Sequence, residues 1–219
     1  MIRVLVLTNA FPQHARDPRG TFIRDQTREL PRASVAATVA DARPWFTRRP
    51  PADRSFHAAY DRVPTRFGSL PGYRGLSFAG SLAAATLSPR RLLRERFDVL
   101  HAHNLQMGLL GARLKRATGT PLVLTLHGRE APWLVERTER QRASLRSLYQ
   151  AADRIVLVGS PLLEYVRPYL ADRAPLRIVP NGVDASAACV RAPRALEANK
   201  AGRFTVLTVA RLSPEKGVD

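Results

Sequence analysis

The sequence predicts an α/β domain built on a doubly wound parallel sheet, and three observations carry that prediction. Six short apolar runs recur along the chain, at 3–7, 35–39, 99–101, 122–126, 155–158 and 176–179. Apolar residues follow one another within them, without the alternation of a half-exposed strand, so both faces are expected to be covered. The runs are separated by at least a dozen residues, the length that a helical crossover between parallel strands needs. Together these features are Rossmann-like.

The elements follow in chain order. The opening MIRVLVLTNAF is apolar only from Val4 to Leu7 and meets no small-residue cleavage site, so it reads as a first strand ending in Thr8-Asn9 rather than a signal peptide. In FPQHARDPRGTFIRDQTREL, Gly20 and Thr21 precede a helix bearing Phe22, Ile23 and Leu30. Free backbone N–H groups at that helix start suit a phosphate. The rhythm then breaks over 41–75, where Pro44, Pro50, Pro51, Pro64 and Pro71 are interleaved with Trp45, Phe46, Phe56, Tyr60, Phe67 and Tyr73. That stretch is read as a long Pro-rich loop, either an insertion or the lining of an acceptor pocket.

Ser88-Pro89 opens a helical segment with Leu92, Leu93 and Phe97, within which RRLLRER is either a solvated face or a basic surface for anionic lipid. The next strand, DVLHAHN, places His101 and His103 two apart on one face. Two readings stand: a metal spacing without an evident third ligand, or strand-end histidines that hydrogen-bond a neighbouring loop. Gly119 ends the helix containing Leu110 and Leu114. VLTLHGRE puts His127 at the carboxyl end of the fourth run, followed by Gly128, which lets a ligand approach the backbone. Pro132 opens a helix reaching Leu145 and Leu148, and Ser160-Pro161 opens one with Leu162, Leu163, Val166 and Leu170. Residues 181–203 read as a linker with a boundary near Arg203. A strand from Phe204 to Val209 then delivers Arg211 and Lys216 to its carboxyl end beside Gly217. Two cations so placed can grip both phosphates of a nucleotide-sugar leaving group, or simply form a solvated turn.

Composition narrows the function classes. The 219 residues are 45% hydrophobic and 24% charged, with a net charge of +17 that is almost all arginine, because lysine occurs only at 115, 200 and 216. The charge reflects either compositional bias or attraction to phosphorylated substrates, an anionic membrane surface or nucleic acid. No helix-turn-helix, zinc-finger or RNA-recognition signature supports specific nucleic-acid binding. The lone Cys189 excludes an internal disulfide and suits a reducing, cytoplasmic compartment. No run approaches the ~18 apolar residues of a membrane span, so membrane contact is expected to be peripheral. There is no GxGxxG for a nicotinamide or flavin, no GxxxxGK[ST], no nucleophile elbow and no paired carboxylates at recognisable spacing.

Taken in order, FPQHARDPRGTFIRDQTREL, FDVLHAHN, GTPLVLTLHG, ADRIVLVGSPLL, IVPNGVD and VARLSPEKGVD resemble a family 4 glycosyltransferase of the GT-B fold, and the likeness spans the chain. The resemblance implies two Rossmann-like domains, the amino-terminal one binding acceptor and the carboxyl-terminal one binding a nucleotide-sugar donor, with sugar transfer that retains configuration and requires no metal or other cofactor. On that basis 1–185 is the acceptor-binding domain, 186–203 the linker and 204–219 the start of a truncated donor-binding domain. Arg211 and Lys216 would contact the donor diphosphate, Gly20 and Thr21 would approach it across the cleft, and His127 would sit beside the transferring sugar as the catalytic residue. His103, Asn104 and Gly128 fall on the acceptor side. Many members of the family carry paired glycines where this chain has Arg19-Gly20, Ala210 stands where a glycine often precedes the arginine, and the family's Glu-x7-Glu segment would lie beyond residue 219.

The expected activity is therefore a retaining, hexosyltransferase-type transfer from a nucleotide sugar to a lipid-linked or polysaccharide acceptor. It would serve cell-envelope polysaccharide synthesis in the cytoplasm, on the inner membrane face, with the fragment inactive alone. The alternative is a non-catalytic basic module docking on anionic membrane or a protein partner. A sugar-nucleotide epimerase is a nearer rival, weakened by the missing acid/base carboxylates.

Overall fold

A computed structural model describes residues 1–44, 61–67, 94–128, 139–171, 174–183 and 207–210. Its strands are β1 (Ile2–Thr8), β2 (Val35–Pro44), β3 (Asp61–Phe67), β4 (Val99–His103), β5 (Leu122–Leu126), β6 (Arg154–Leu157) and β7 (Leu176–Ile178). The α-helices are α1 (Thr21–Glu29), α2 (Leu105–Thr118), α3 (Glu139–Ala151) and α4 (Leu162–Val166). The seven strands form one sheet in the order β3-β2-β1-β4-β5-β6-β7, every pair parallel. The order runs outward in both directions from β1 and β4, which is the doubly wound pattern.

β1 shows why the apolar runs lack alternation. Leu5 and Leu7 join a cluster with Leu105 and Leu110 of α2 and Leu145 and Leu148 of α3. Val4 and Val6 join a second cluster with Phe11, Val39 and Ile23 of α1. A strand covered on both sides must be apolar at every position.

Each helix is placed by local signals. α2 starts at Asn104, whose side chain accepts a hydrogen bond from the Met107 N–H at 3.1 Å, and ends at Gly119 in the left-handed region with φ 74°. Its Gly111 lies so close to the sheet that a Cβ there would stand 2.6 Å from Leu122 Cδ1. α4 follows Pro161 as the Ser160-Pro161 pair implied.

The structure corrects the reading of 41–75 as a loop at 41–44 and 61–67, the described residues of that stretch. β2 runs on to Pro44, and β3 pairs with it in register from Thr38↔Asp61 to Pro44↔Phe67. Pro64 was the misleading signal; a proline is tolerated because, among the described residues, β3 is the edge strand with one side free of ladder bonds. A second expectation also fails in part. Leu207 and Val209, read as parts of a buried strand, are 83% and 90% exposed, and 207–210 form no strand. A lone apolar strand needs neighbours to pair with, and none of the described residues pairs with it.

The chain divides into two compact units, Met1–Gly182 and Val183–Asp219. The sheet lies in the first. Among the described residues no helix is long and apolar enough to cross a membrane. The aromatics at 45–60, Tyr73, the Ser88-Pro89 start, Pro132 and Cys189 lie outside the described residues.

Candidate functional site

In an open parallel sheet, ligands bind beyond the carboxyl ends of the strands, where neighbouring connections leave in opposite directions. Here that place lies between β1 and β4, whose ends carry Asn9 and Asn104. The Asn104 side chain donates to Asn9 Oδ1 at 2.6 Å, and Asn9 Nδ2 donates to Gln106 Oε1 at 2.7 Å. The chain of half-buried amides ties the two strand ends together without any charge. Asn104 adopts φ 85° and ψ 168°, a region that side chains other than glycine's occupy at a cost of about 1 to 3 kcal/mol. Its N–H donates to the Thr125 carbonyl at 2.9 Å, which carries the tie across to β5.

The loop after β1 is fixed from below. Gln13 Nε2 donates to Phe11 O and to Asp41 Oδ2 of β2, while buried Arg43 donates to Asp41 and, at 2.7 Å, to Phe11 O. Asp17 accepts from the Gln13 N–H and from the Arg19 backbone and guanidinium. The Arg19 side-chain bonds hold the Asp17 carboxyl well below the usual carboxylate range. These ties deliver Gly20 to the start of α1 with φ 59°, where a Cβ would lie 1.7 Å from the Ala10 carbonyl oxygen. Only glycine fits there. The sequence position singled out for phosphate approach is thus a built turn, with Thr21 as the first helical residue.

The histidines form a row at the ends of β4 and β5. His103 Nδ1 and His127 Nε2 are 2.8 Å apart, with rings nearly parallel at 15° and centroids 5.1 Å apart. His101 packs on His103 at 4.2 Å and hydrogen-bonds Thr125 Oγ1 at 2.8 Å. Phe22 of α1 packs on His127 at 4.5 Å, which brings the Gly20 turn and the end of β5 to one place. Burial pushes the His101 and His127 pKa values down to about 4 and that of His103 well below its ordinary value, with the neighbouring imidazoles adding to the effect at His101 and His103. All three are therefore neutral near pH 7.

His101 bonds within the sheet, to Thr125 of β5, and of the pair only His103 reaches past a strand end, to His127. No group of three or more His, Cys, Asp or Glu side chains among the described residues is arranged to hold a metal. His127 and Gly128 are half-buried, and among the described residues a Cβ at Gly128 would meet nothing within 4 Å. Amides and a backbone edge suit hydroxyl groups, which both donate and accept. Arg211 and Lys216 lie outside the described residues. The sequence reading did not single out Gln106, Thr125 or the packing of Phe22 on His127; Phe22 had entered only as an apolar residue of its helix.

Fold and site together define a doubly wound α/β domain with its crevice at the β1/β4 switch. Residues 20–187 match the model of Glycosyltransferase Family 4, and the chain belongs to that family. It is 28% identical over 177 residues to a glycogen synthase of Mycobacterium tuberculosis, covering 75% of this chain and 41% of that protein. The chain thus spans less than half the length of the curated relatives it matches. A sucrose-phosphate synthase from Thermosynechococcus elongatus superposes with a TM-score of 0.59 at 14% identity, over 85% of this chain and 49% of that one. A glycosyltransferase from Rickettsia africae gives a TM-score of 0.54 at 10% identity, over 84% and 44%. Both likenesses show the fold, a Rossmann-like α/β domain of the GT-B kind.

Proposed function

We propose that this chain is the acceptor-binding part of a retaining hexosyltransferase that moves a sugar from a nucleotide-sugar donor to a saccharide or lipid-linked acceptor. One observation carries the reading: in a member of this family, the glycine turn before α1 and the strand end at His127 and Gly128 meet through Phe22. His127 lies beside the transferring sugar as a neutral imidazole, with Asn104 and Gly128 facing the acceptor. Gly20 and Thr21 approach the donor diphosphate through backbone N–H groups. Arg211 and Lys216 supply the positive charge that strengthens its hold as the diphosphate leaves. As the resemblance to the family implies, the reaction is assigned to electrostatic stabilisation of the departing diphosphate, with no required metal or other cofactor. The name of the glycogen synthase relatives favours a saccharide acceptor, and the net charge of +17 favours work at the inner membrane face.

Most of the donor site belongs to a carboxyl-terminal half, and the 219 residues alone are expected not to catalyse transfer. Thermal denaturation with a panel of nucleotide sugars tests this: they are expected to stabilise a longer protein carrying that half and to leave this chain unmoved. Equal stabilisation of both would sink the assignment of the domains. Arg211→Ala and Lys216→Ala in the longer protein are expected to abolish transfer while the fold survives. Unchanged transfer would remove the diphosphate grip.

A further inference from the structure

The loop between β1 and α1 segregates its charges. In the stretch His14-Ala15-Arg16-Asp17-Pro18-Arg19 the acidic side chain, Asp17, is buried, while His14, Arg16 and Arg19 are exposed. Asp17 holds Arg19 side-on: Arg19 Nε donates to Asp17 Oδ1 and Arg19 Nη2 to Asp17 Oδ2, both at 2.9 Å. The Asp17 side chain is 3% exposed and that of Arg19 54%. The carboxylate is itself fixed, because it also accepts from the Gln13 N–H at 3.0 Å and the Arg19 N–H at 3.1 Å. A guanidinium carries five N–H donors in one plane, and the clasp uses two of them. The other three, two on Nη1 and one on Nη2, make no hydrogen bond among the described residues. They form an edge that matches two oxygens of a phosphate.

We propose that Arg19 is a phosphate-binding residue: held by Asp17 beside the Gly20 turn, its Nη1/Nη2 edge takes two oxygens of a phosphate group on the bound ligand. The inference rests on the reading of Gly20 and Thr21 as the place of the donor diphosphate, and it adds to that place a side-chain cation that backbone N–H groups lack. An exposed arginine ordinarily loses rotamer freedom when it grips an anion. Here the buried carboxylate has already removed that freedom, so binding starts from a fixed fork. Asp17 does not cancel the charge met from outside. It lies behind the guanidinium, away from water, so a phosphate on the exposed edge stands closer to the cation than to the carboxylate, and the nearer charge dominates. Exposed Arg16, in the same loop, adds charge of the same sign.

The test measures binding in the longer protein carrying the carboxyl-terminal half, by isothermal titration calorimetry. Inorganic pyrophosphate is the diphosphate probe and a hexose 6-phosphate the phosphomonoester probe. Arg19→Met is expected to weaken pyrophosphate binding about tenfold, the loss of one charge-assisted contact at a half-exposed site. Weakening confined to the hexose phosphate would keep Arg19 as the phosphate ligand and place that phosphate on the acceptor. Arg19→Met also bares the Asp17 charge, so a second variant is needed. Asp17→Asn combined with Arg19→Met removes that charge and keeps an oxygen for the Gln13 N–H; circular dichroism checks its fold, and it is expected to bind pyrophosphate as weakly as Arg19→Met. Native affinity in the double variant would overturn the proposal, because Arg19 would then act only by neutralising Asp17. Unchanged affinity for both probes in Arg19→Met, or no binding of either probe to the native protein, would overturn it as well. Failure of the underlying reading looks different: if the probes bind through Arg19 and nucleotide sugars do not compete with them, the donor diphosphate lies elsewhere while the phosphate contact stands.

Discussion

Acidification should loosen this domain before its carboxylates protonate, and the histidine row sets the size of the effect. His101 has its pKa lowered from 6.5 to about 4 by burial and by its histidine neighbour. The unfolded chain therefore binds a proton there that the native chain refuses, and stability falls as pH drops from about 6.5 towards 4. At pH 5 the two states differ roughly 30-fold in their proton-binding polynomial, which corresponds to about 2 kcal/mol. That figure is an upper bound for His101, which keeps part of its surface in water. His103 and His127 shift in the same direction and add to the loss. Asp17, Glu139 and Asp153 have lowered pKa values, so they stay ionised across the window and contribute little. Urea denaturation followed by circular dichroism at pH 7 and pH 5 measures the difference. His101→Gln is expected to shrink the pH-dependent loss by up to ~2 kcal/mol. A native domain equally stable at both pH values, or a variant with the same pH dependence as the native chain, would refute the reasoning.

Gly20→Ala is expected to cost about 3 kcal/mol or more, because a left-handed alanine costs about 1 to 2 and its Cβ would stand 1.7 Å from the Ala10 carbonyl oxygen; thermal denaturation checks it. Arg43→Met leaves Asp41 buried without its guanidinium and is expected to cost about 3 to 5 kcal/mol, with part recovered when Asp41→Asn is added; a double-mutant cycle by denaturant reads both. Asn104→Gly relieves the backbone strain while losing the helix cap, so its stability is expected to stay within ~1 kcal/mol of native. Asn104→Ala loses the cap and keeps the strain, and is expected to fall by about 1 to 2 kcal/mol.

What the sequence made legible follows from where each signal lives. The apolar runs of β1, β4 and β5 announced a two-sided sheet because burial on both faces writes itself into consecutive residues. Gly119 announced the end of α2 because a left-handed cap needs a local residue. β3 stayed hidden for the opposite reason: DRVPTRF mixes charge, proline and apolar residues, as an edge strand is free to do. In the site, His127 and Gly20 were visible as strand-end and helix-start residues. The pairings within the site were not, since Asn9 and Asn104 are 95 residues apart and His103 and His127 are 24 apart. Only the register of β1 on β4, and of β4 on β5, brings those side chains together.

The backbone itself separates structural from functional specialisation. Four described residues have positive φ: Gly20, Ser34, Asn104 and Gly119. Gly119 and Ser34 close helical segments, where a left-handed residue is the ordinary way to satisfy the last carbonyls. Gly20 and Asn104 stand instead at helix starts, where no such need exists, and both follow the carboxyl ends of the two central strands. Asn104 keeps a side chain in a glycine-like conformation even though glycine would relieve the strain. The amide must therefore be worth more than the relief, through its cap on α2 and its bond to Asn9. Stability alone gives a near balance between those terms. The strained backbone and the uncharged amide network stand together at the switch point, where an open parallel sheet binds its ligands.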